Sequence, residues 1–315
     1  MDKVVVIGGA GFLGSHTADE LTRRGYRVTI FDQIESPWLL GSQEIVVGDV
    51  LDLDSVQSAL EGTKYVYHFA GIADIGQAND DPIATIEQNI KGNLNILEAT
   101  IQNKIQRYIF ASTIYVYSQS GGFYRCSKQA CELYIENYQK LYGLDFTILR
   151  YGSLYGPRAG ASNSIRRYLK AGLENHRIFY PGTGDEVREY IHVKDAAKLS
   201  FDILTEEYKN RHIIITGHHP MKAGEMLAMV QEILFDQDQA VGVKIKIAGD
   251  IVQARVRKEV LLCGGAINSP QLLMLSGIGQ ADELCRQSID CRVESPGVGK
   301  NLQDHLEVYV QYSLK

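Results

Sequence analysis

The chain has 315 residues, 45% of them hydrophobic, and 32 basic against 38 acidic side chains leave a formal net charge of −6. Ample apolar material and mild charge exclude disorder as the main state. Without a basic stripe to neutralise phosphates, nucleic acid is excluded as a main partner. No run reaches the roughly 18–20 apolar residues that cross a bilayer, so no membrane contact is expected.

In chain order, residues 3–7 read as a short buried strand, followed by a glycine turn and a helix over 12–24 that Gly25 stops. Residues 27–31 and 44–47 read as strands, and Asp54 as the N-cap of a short helix ending near Gly62. Residues 65–69 form a fourth strand, 82–100 a long helix, 108–111 a fifth strand, 127–142 a helix closed by Gly143, and 146–149 a sixth strand. Short apolar strands alternating with helices imply parallel βαβ units covered on both faces. Leu133, Tyr134, Tyr138 and Leu141 recur at helical spacing and read as core packing. The sequence opens Met1-Asp2-Lys3 and runs directly into apolar residues 4–7, which is not a signal-peptide pattern. Five cysteines without a Cys-x-x-Cys pair give neither a zinc site nor a redox pair, so no metal is expected and a reducing cytoplasm is the expected compartment. His218-His219 reads as a polar turn. Arg166, Arg167 and Lys170 read as a solvated helix face.

The first chemical signal is Gly8-Gly9-Ala10-Gly11-Phe12-Leu13-Gly14. It lies between a strand and a helix, the context in which glycines let backbone approach a pyrophosphate and the helix N-terminus hold it. Asp32 follows Gly14 by 18 residues at the end of the next strand. A carboxylate there accepts the ribose hydroxyls and repels a 2′-phosphate, which favours NAD over NADP. The second signal is Tyr124-Arg125-Cys126-Ser127-Lys128, with Tyr and Lys four apart on one helix face. A neighbouring ammonium, together with a positively charged nicotinamide ring, is expected to lower the phenol pKa and make it a usable base. Tyr190 and Lys194 repeat the spacing and read as chance. Ser112-Thr113 closes the fifth strand, where a hydroxyl can share the reacting proton.

These residues, with Gly48-Asp49-Val50, His68-Phe69-Ala70-Gly71, Asn89-Ile90-Lys91-Gly92, Leu149-Arg150-Tyr151, Tyr155-Gly156-Pro157-Arg158 and the stretch 188–195, resemble the extended short-chain dehydrogenase/reductases. The group is the NAD-dependent epimerase/dehydratase family acting on nucleotide sugars, and the resemblance runs from residue 1 to about 234. It implies Gly8, Gly11, Phe12, Leu13 and Gly14 along the pyrophosphate and Asp32 at the ribose. Asp49 and Val50 would flank the adenine, with Ala70, Gly71, Asn89 and Tyr151 on the cofactor wall. It implies Tyr124 as acid/base, Thr113 beside it, Lys128 on the nicotinamide ribose, and Arg188 and Ser153 towards the substrate. The implied chemistry is proton removal from a hydroxyl by Tyr124 with hydride transfer to NAD.

Three departures bear on the substrate. Thr113 and Tyr124 are only 11 residues apart, a shorter connection than the family's, and that segment helps shape the sugar pocket. Ser153 stands where the family carries asparagine. Ile114-Tyr115 stands where sugar 4,6-dehydratases carry an acidic pair, which disfavours dehydration.

From about residue 235 the pattern changes. Residues 240–247 and 251–263 read as strands of a hairpin around Gly249-Asp250, and 270–276 as a helix with Ser269 as N-cap and Pro270 at N1. Residues 258–279 and 296–305 are similar to an internal fragment of the glucose–methanol–choline oxidoreductases, nearest the choline dehydrogenases.

The fold expected is α/β: a doubly wound parallel Rossmann sheet (1–150), a small partial substrate-binding region interleaved with it (151–234), and a C-terminal α+β appendage (235–315). The function expected is an NAD-dependent, epimerase-like oxidoreductase/isomerase of a nucleotide sugar, the chain being a fusion and a homodimer being compatible with it. Two alternatives stand beside it: an NAD-binding protein without turnover, and a fragment of a flavin-dependent alcohol dehydrogenase.

Overall fold

Lys3–Ile7 forms β1. Val4 and Val6 belong to one core cluster and Val5 and Ile7 to another. Successive side chains on a strand face opposite ways, so β1 is covered on both sides and carries no polar alternation. The computed structural model describes residues 1–175, 180, 182–223, 229–237, 239–247, 250–256, 258–260, 262 and 265–300. They divide into two compact units, Met1–Lys170 with Val187–Met221, and Ala171–Glu186 with Lys222–Lys315.

In the first unit β1 is followed by α1 (Phe12–Arg23), β2 (Arg27–Asp32), β3 (Glu44–Val47), α2 (Leu53–Ala59) and β4 (Tyr65–His68). Then come α3 (Ile75–Asp80), α4 (Pro82–Thr85), a π-helical segment (Ile86–Lys91), α5 (Gly92–Gln102) and β5 (Arg107–Thr113). A 3₁₀ turn (Ile114–Tyr117), α6 (Gly122–Tyr142), β6 (Phe146–Tyr151) and β7 (Ser153–Tyr155) follow. After α7 (Ser164–Asn175) the chain forms β8 (Val187–His192), α8 (Val193–Asp202), β9 (Arg211–Ile215) and β10 (Pro220–Lys222). Seven parallel strands make one sheet in the order β3-β2-β1-β4-β5-β6-β9. The chain builds outward from β1 on one side, then crosses to β4 on the other. In open sheets of this kind, ligands bind at the strands' carboxyl edge where the order reverses. Strands β7, β8 and β10 make a separate small sheet.

Four local expectations change. The short helix α2 is capped by Asp52, whose side chain accepts from the Ser55 amide, rather than by Asp54. The helix expected over 82–100 is interrupted by the π-helical segment, a feature that often marks functional positions. Helix α6 starts at Gly122, five residues earlier than expected, because Gly121 (φ 103°) and Gly122 (φ 50°) take positive backbone angles that let the chain turn directly into it. The apolar stripe on α6 is core only at Tyr138, which packs against the buried cluster: Leu133 is 61% and Leu141 73% exposed, and Tyr134 is exposed too. Helical periodicity reveals an apolar face and not what covers it.

The second unit contains an antiparallel sheet of β11 (Met229–Asp236), β12 (Gln239–Ile247) and β13 (Asp250–Arg255). It continues with α9 (Gly265–Leu275), β14 (Ile278–Gly279), α10 (Ala281–Arg286) and β15 (Val293–Glu294). The β12–β13 hairpin matches the sequence reading, although β13 ends at Arg255. The helix holding Pro270 begins at Gly265, so Pro270 lies inside it and is not at N1. Residues 229–236 are strand. Ser276 ties β11 to α9, its hydroxyl accepting from the Ile233 amide at 2.8 Å and donating to the Leu272 carbonyl at 2.7 Å.

Candidate active site

At the carboxyl edge beside β1, β2 and β4 lies a cleft of about 430 Å³. Of the residues expected at the cofactor, Gly8, Gly11, Asp32, Val50, Ala70 and Gly71 line it. The glycine turn explains how it stays open. At Gly8 (φ +80°) a Cβ would lie 2.5 Å from the Ala70 amide nitrogen, so a side chain would push β1 and β4 apart at the mouth of the cleft. At Gly14 a Cβ would lie 2.1 Å from the Gly8 carbonyl oxygen, so this glycine serves helix–strand packing. No side chain caps α1, and the first turn presents its dipole to the cleft. Asp32 accepts from the Ala10 amide at 2.9 Å, which fixes its carboxylate at the end of β2 where it lines the cleft. These residues fit a dinucleotide: a glycine cradle, an open helix N-terminus and a carboxylate for ribose hydroxyls.

Leu13 is buried and Phe12 packs edge-on to His16. Asp49 caps its own turn, accepting from the Leu51 amide at 2.9 Å. The Tyr151 side chain turns into the core and its hydroxyl bonds Ser200 at 2.6 Å; burial raises its pKa. Gln33, Gln77 and Gln88 also line the cleft and were not expected there. The positions of Gln33 and Gln88, next to Asp32 and Asn89, were the only available signal.

Asn89 links the cleft wall to α6. Its side-chain oxygen accepts from the Ile72 amide at 2.7 Å, and its amide nitrogen donates to the Ile72 carbonyl at 3.0 Å and to the Ser127 hydroxyl at 2.9 Å. Ser127 in turn donates to the Tyr124 carbonyl at 2.8 Å. The Asn89 carbonyl accepts from the Cys131 thiol at 3.1 Å, and burial pushes that thiol up to about 12. Ile72 lines the cleft, so a run of hydrogen bonds ties the first turn of α6 to the cofactor wall.

On that turn the Tyr124 side chain lies beside Thr113, the last residue of β5. The Lys128 ammonium lies 5.9 Å from the centre of the Tyr124 ring and donates to the Ala111 carbonyl at 2.8 Å. Burial lowers the Lys128 pKa. The Tyr124 phenol is pushed up to about 12 by burial, while the Thr113 hydrogen bond opposes the rise. In the protein alone, desolvation of the phenolate outweighs the Thr113 contact, whereas the sequence expectation includes the positive nicotinamide ring.

Ser112, next to Thr113, donates to Glu132 one turn beyond Lys128. Glu132 also holds Arg150 through two hydrogen bonds, at 3.1 and 2.6 Å, with both side chains largely buried. This pair braces β5 and β6 against α6 and was not anticipated. His68 is buried and its ring nitrogen bonds the Tyr108 hydroxyl at 2.6 Å, which donates to Asn93. Burial holds the His68 pKa near 3. Tyr190 lies on β8 and Lys194 on α8, so they do not share a helix face. Arg188 stands on β8 with its guanidinium 6.0 Å from the Tyr115 ring centre, and Ser153 on β7 pairs in register with Tyr190. Among the described residues no group of three His, Cys, Asp or Glu side chains could hold a metal ion, and no helix is long and apolar enough to cross a membrane.

A doubly wound sheet with a glycine cradle at its switch point defines a dinucleotide-binding α/β protein. The model of the NAD dependent epimerase/dehydratase family matches residues 4–216, and the chain belongs to that family. NAD is the cofactor this membership assigns, and the cradle fits it. A UDP-N-acetyl-alpha-D-glucosaminuronate decarboxylase of Bacillus cytotoxicus is 31% identical over 75% of this chain and 79% of that protein. The structure of Thermus thermophilus UDP-glucose 4-epimerase in complex with NAD shares 28% identity and a TM-score of 0.65, covering 71% of this chain and 81% of that one. The GMC oxidoreductase model matches residues 219–307. Mouse mitochondrial choline dehydrogenase is 53% identical over 92 residues, which are 29% of this chain and 15% of that protein. The second likeness begins earlier than the change of pattern suggested.

Proposed function

We propose that this chain is an epimerase-like oxidoreductase/isomerase acting on a nucleotide sugar. The observation that carries the reading is the placement of Thr113 and the Lys128 ammonium beside the Tyr124 phenol, with the same turn tied through Ser127 and Asn89 to the cleft wall. NAD, when bound, supplies a hydride acceptor and a positive ring. Tyr124 takes the proton of the substrate hydroxyl, Thr113 shares that proton in the hydrogen bond, and Lys128 orients the ribose and favours the phenolate. Arg188 offers a planar fork to the substrate diphosphate. The pyrophosphate-side roles of Gly8, Gly11, Phe12, Leu13 and Gly14, and the adenosine-side roles of Asp32, Asp49 and Val50, belong to the same reading. Ala70, Gly71, Asn89 and Tyr151 are assigned to the wall, and Ser153 to the substrate side.

The test has two parts. The nucleotide released on denaturing the purified protein is identified, with NAD expected. Turnover of UDP- and GDP-sugars is then compared between wild type and Tyr124→Phe, with a loss of about 10²–10⁴-fold expected and NAD retained. Equal rates remove Tyr124 from the mechanism; retained NAD with no turnover of any sugar leaves a binding protein.

The exposed Leu133 and Leu141, eight residues apart on one face of α6, support a homodimer through this face. Leu133→Asp with Leu141→Asp is expected to convert dimer to monomer in sedimentation velocity, and a monomeric wild type defeats the assignment. The two family likenesses support a fusion of two segments meeting at residues 217–218. Free thiols at Cys126, Cys131, Cys285 and Cys291 suit a reducing cytoplasm.

A further inference from the structure

We propose that Tyr115 sets the sugar preference of this site, its ring forming a platform for the C–H face of a neutral hexopyranose beside Tyr124. The proposal rests on the nucleotide-sugar reading above. Tyr115 lies two residues beyond Thr113, in the 3₁₀ turn that follows β5. Its amide donates to the Thr113 hydroxyl at 3.2 Å, so its backbone is fixed by the residue beside Tyr124. The short connection to α6 closes directly on it. At Gly121 (φ +103°) a Cβ would lie 3.2 Å from the Tyr115 Cβ and 3.3 Å from its Cγ, so the turn rests on the base of the ring. A longer connection has no need to lie there.

Three further groups face this ring from two other elements. The Arg188 guanidinium stands 6.0 Å from its centre. Tyr124 on α6 and Tyr190 on β8 each have their ionisation opposed by Tyr115. Tyr115 therefore has the phenol of one element and the guanidinium of another as neighbours. The face of an aromatic ring is electron-rich. It attracts the polarised C–H hydrogens of a sugar and a guanidinium, and it opposes a carboxylate. With Arg188 assigned to the diphosphate, the wall made by Tyr115 favours a neutral hexose over a uronic acid.

The experiment measures binding, so it does not depend on turnover. Affinities of the NAD-loaded protein for UDP, UDP-glucose and UDP-glucuronic acid are compared by calorimetry in wild type, Tyr115→Phe and Tyr115→Ala. Wild type and Tyr115→Phe are expected to prefer UDP-glucose over both UDP and UDP-glucuronic acid by about fivefold or more. Tyr115→Ala is expected to reduce both preferences to within about twofold while UDP affinity and NAD retention stay unchanged. Preferences that survive in Tyr115→Ala, or that Tyr115→Phe loses as well, overturn the platform. UDP binding in wild type without any gain from the sugar overturns the platform alone. No UDP binding at all overturns the nucleotide-sugar reading and the platform with it.

Discussion

The parallel sheet of the first unit and the three-stranded sheet of the second are built on different rules. Strands β1, β4, β5 and β6 contribute buried apolar side chains to a core cluster on each face of the sheet, and they meet at a carboxyl edge that must stay open. The β11-β12-β13 sheet is an antiparallel meander whose pairing is set by neighbours in sequence. The first arrangement gathers residues far apart in the chain, such as Gly8, Asp32, Ala70 and Tyr124, at one edge. The second brings together only what already lies close in the chain. A site that needs groups from several segments is therefore expected in the first region.

The contrast is tested most severely at the Glu132–Arg150 pair. Glu132→Gln leaves a buried guanidinium without its charge partner, and a loss of about 3–5 kcal/mol is expected in denaturant unfolding. A loss below about 1 kcal/mol, the range of exposed pairs, would mean the two side chains are solvated. Next come two glycines, one in each unit. Gly14→Ala pushes a methyl into the Gly8 carbonyl, with about 1–3 kcal/mol lost and NAD no longer retained. Gly242→Ala places a Cβ 2.4 Å from the Ala254 carbonyl. It should weaken hydrogen-exchange protection along β12 and β13 while NAD affinity stays within about twofold of wild type. NAD loss in both variants would erase the distinction between the regions.

A smaller, graded effect concerns pH. His68 is held neutral in the fold, with a pKa near 3 against an ordinary value of 6.5. Between those values the unfolded chain binds the proton that the folded chain refuses. Stability is then lost as pH falls below about 6.5, by up to about 1.4 kcal/mol per pH unit from this residue. Urea unfolding between pH 6.5 and pH 4 should show that slope, and His68→Gln should flatten it. An unchanged slope would assign acid sensitivity to the carboxylates instead.

Much of the site was legible because its signals are local. The glycine turn, Asp32 at a strand end and the Tyr124–Lys128 spacing each join a residue type to a backbone position within one βαβ unit. Other features rest on contacts across the sheet. Glu132 and Arg150 are 18 residues apart on different elements, and nothing in their spacing pairs them. Asn89 in the π segment bonds Ile72 and Ser127 across the fold, and Gln77 and Gln88 reach the cleft only through the packing of the segments they sit on. The α6 stripe was read as core because periodicity reports a face without its cover.

The sequence by itself determined the family, the dinucleotide cradle and the change of pattern in the last quarter, because glycine geometry and apolar runs act through neighbouring residues. Only the tertiary structure decided the electrostatics of Tyr124. Its pKa depends on how far the fold removes the phenol from water, and burial raises it by more than the Thr113 hydroxyl lowers it.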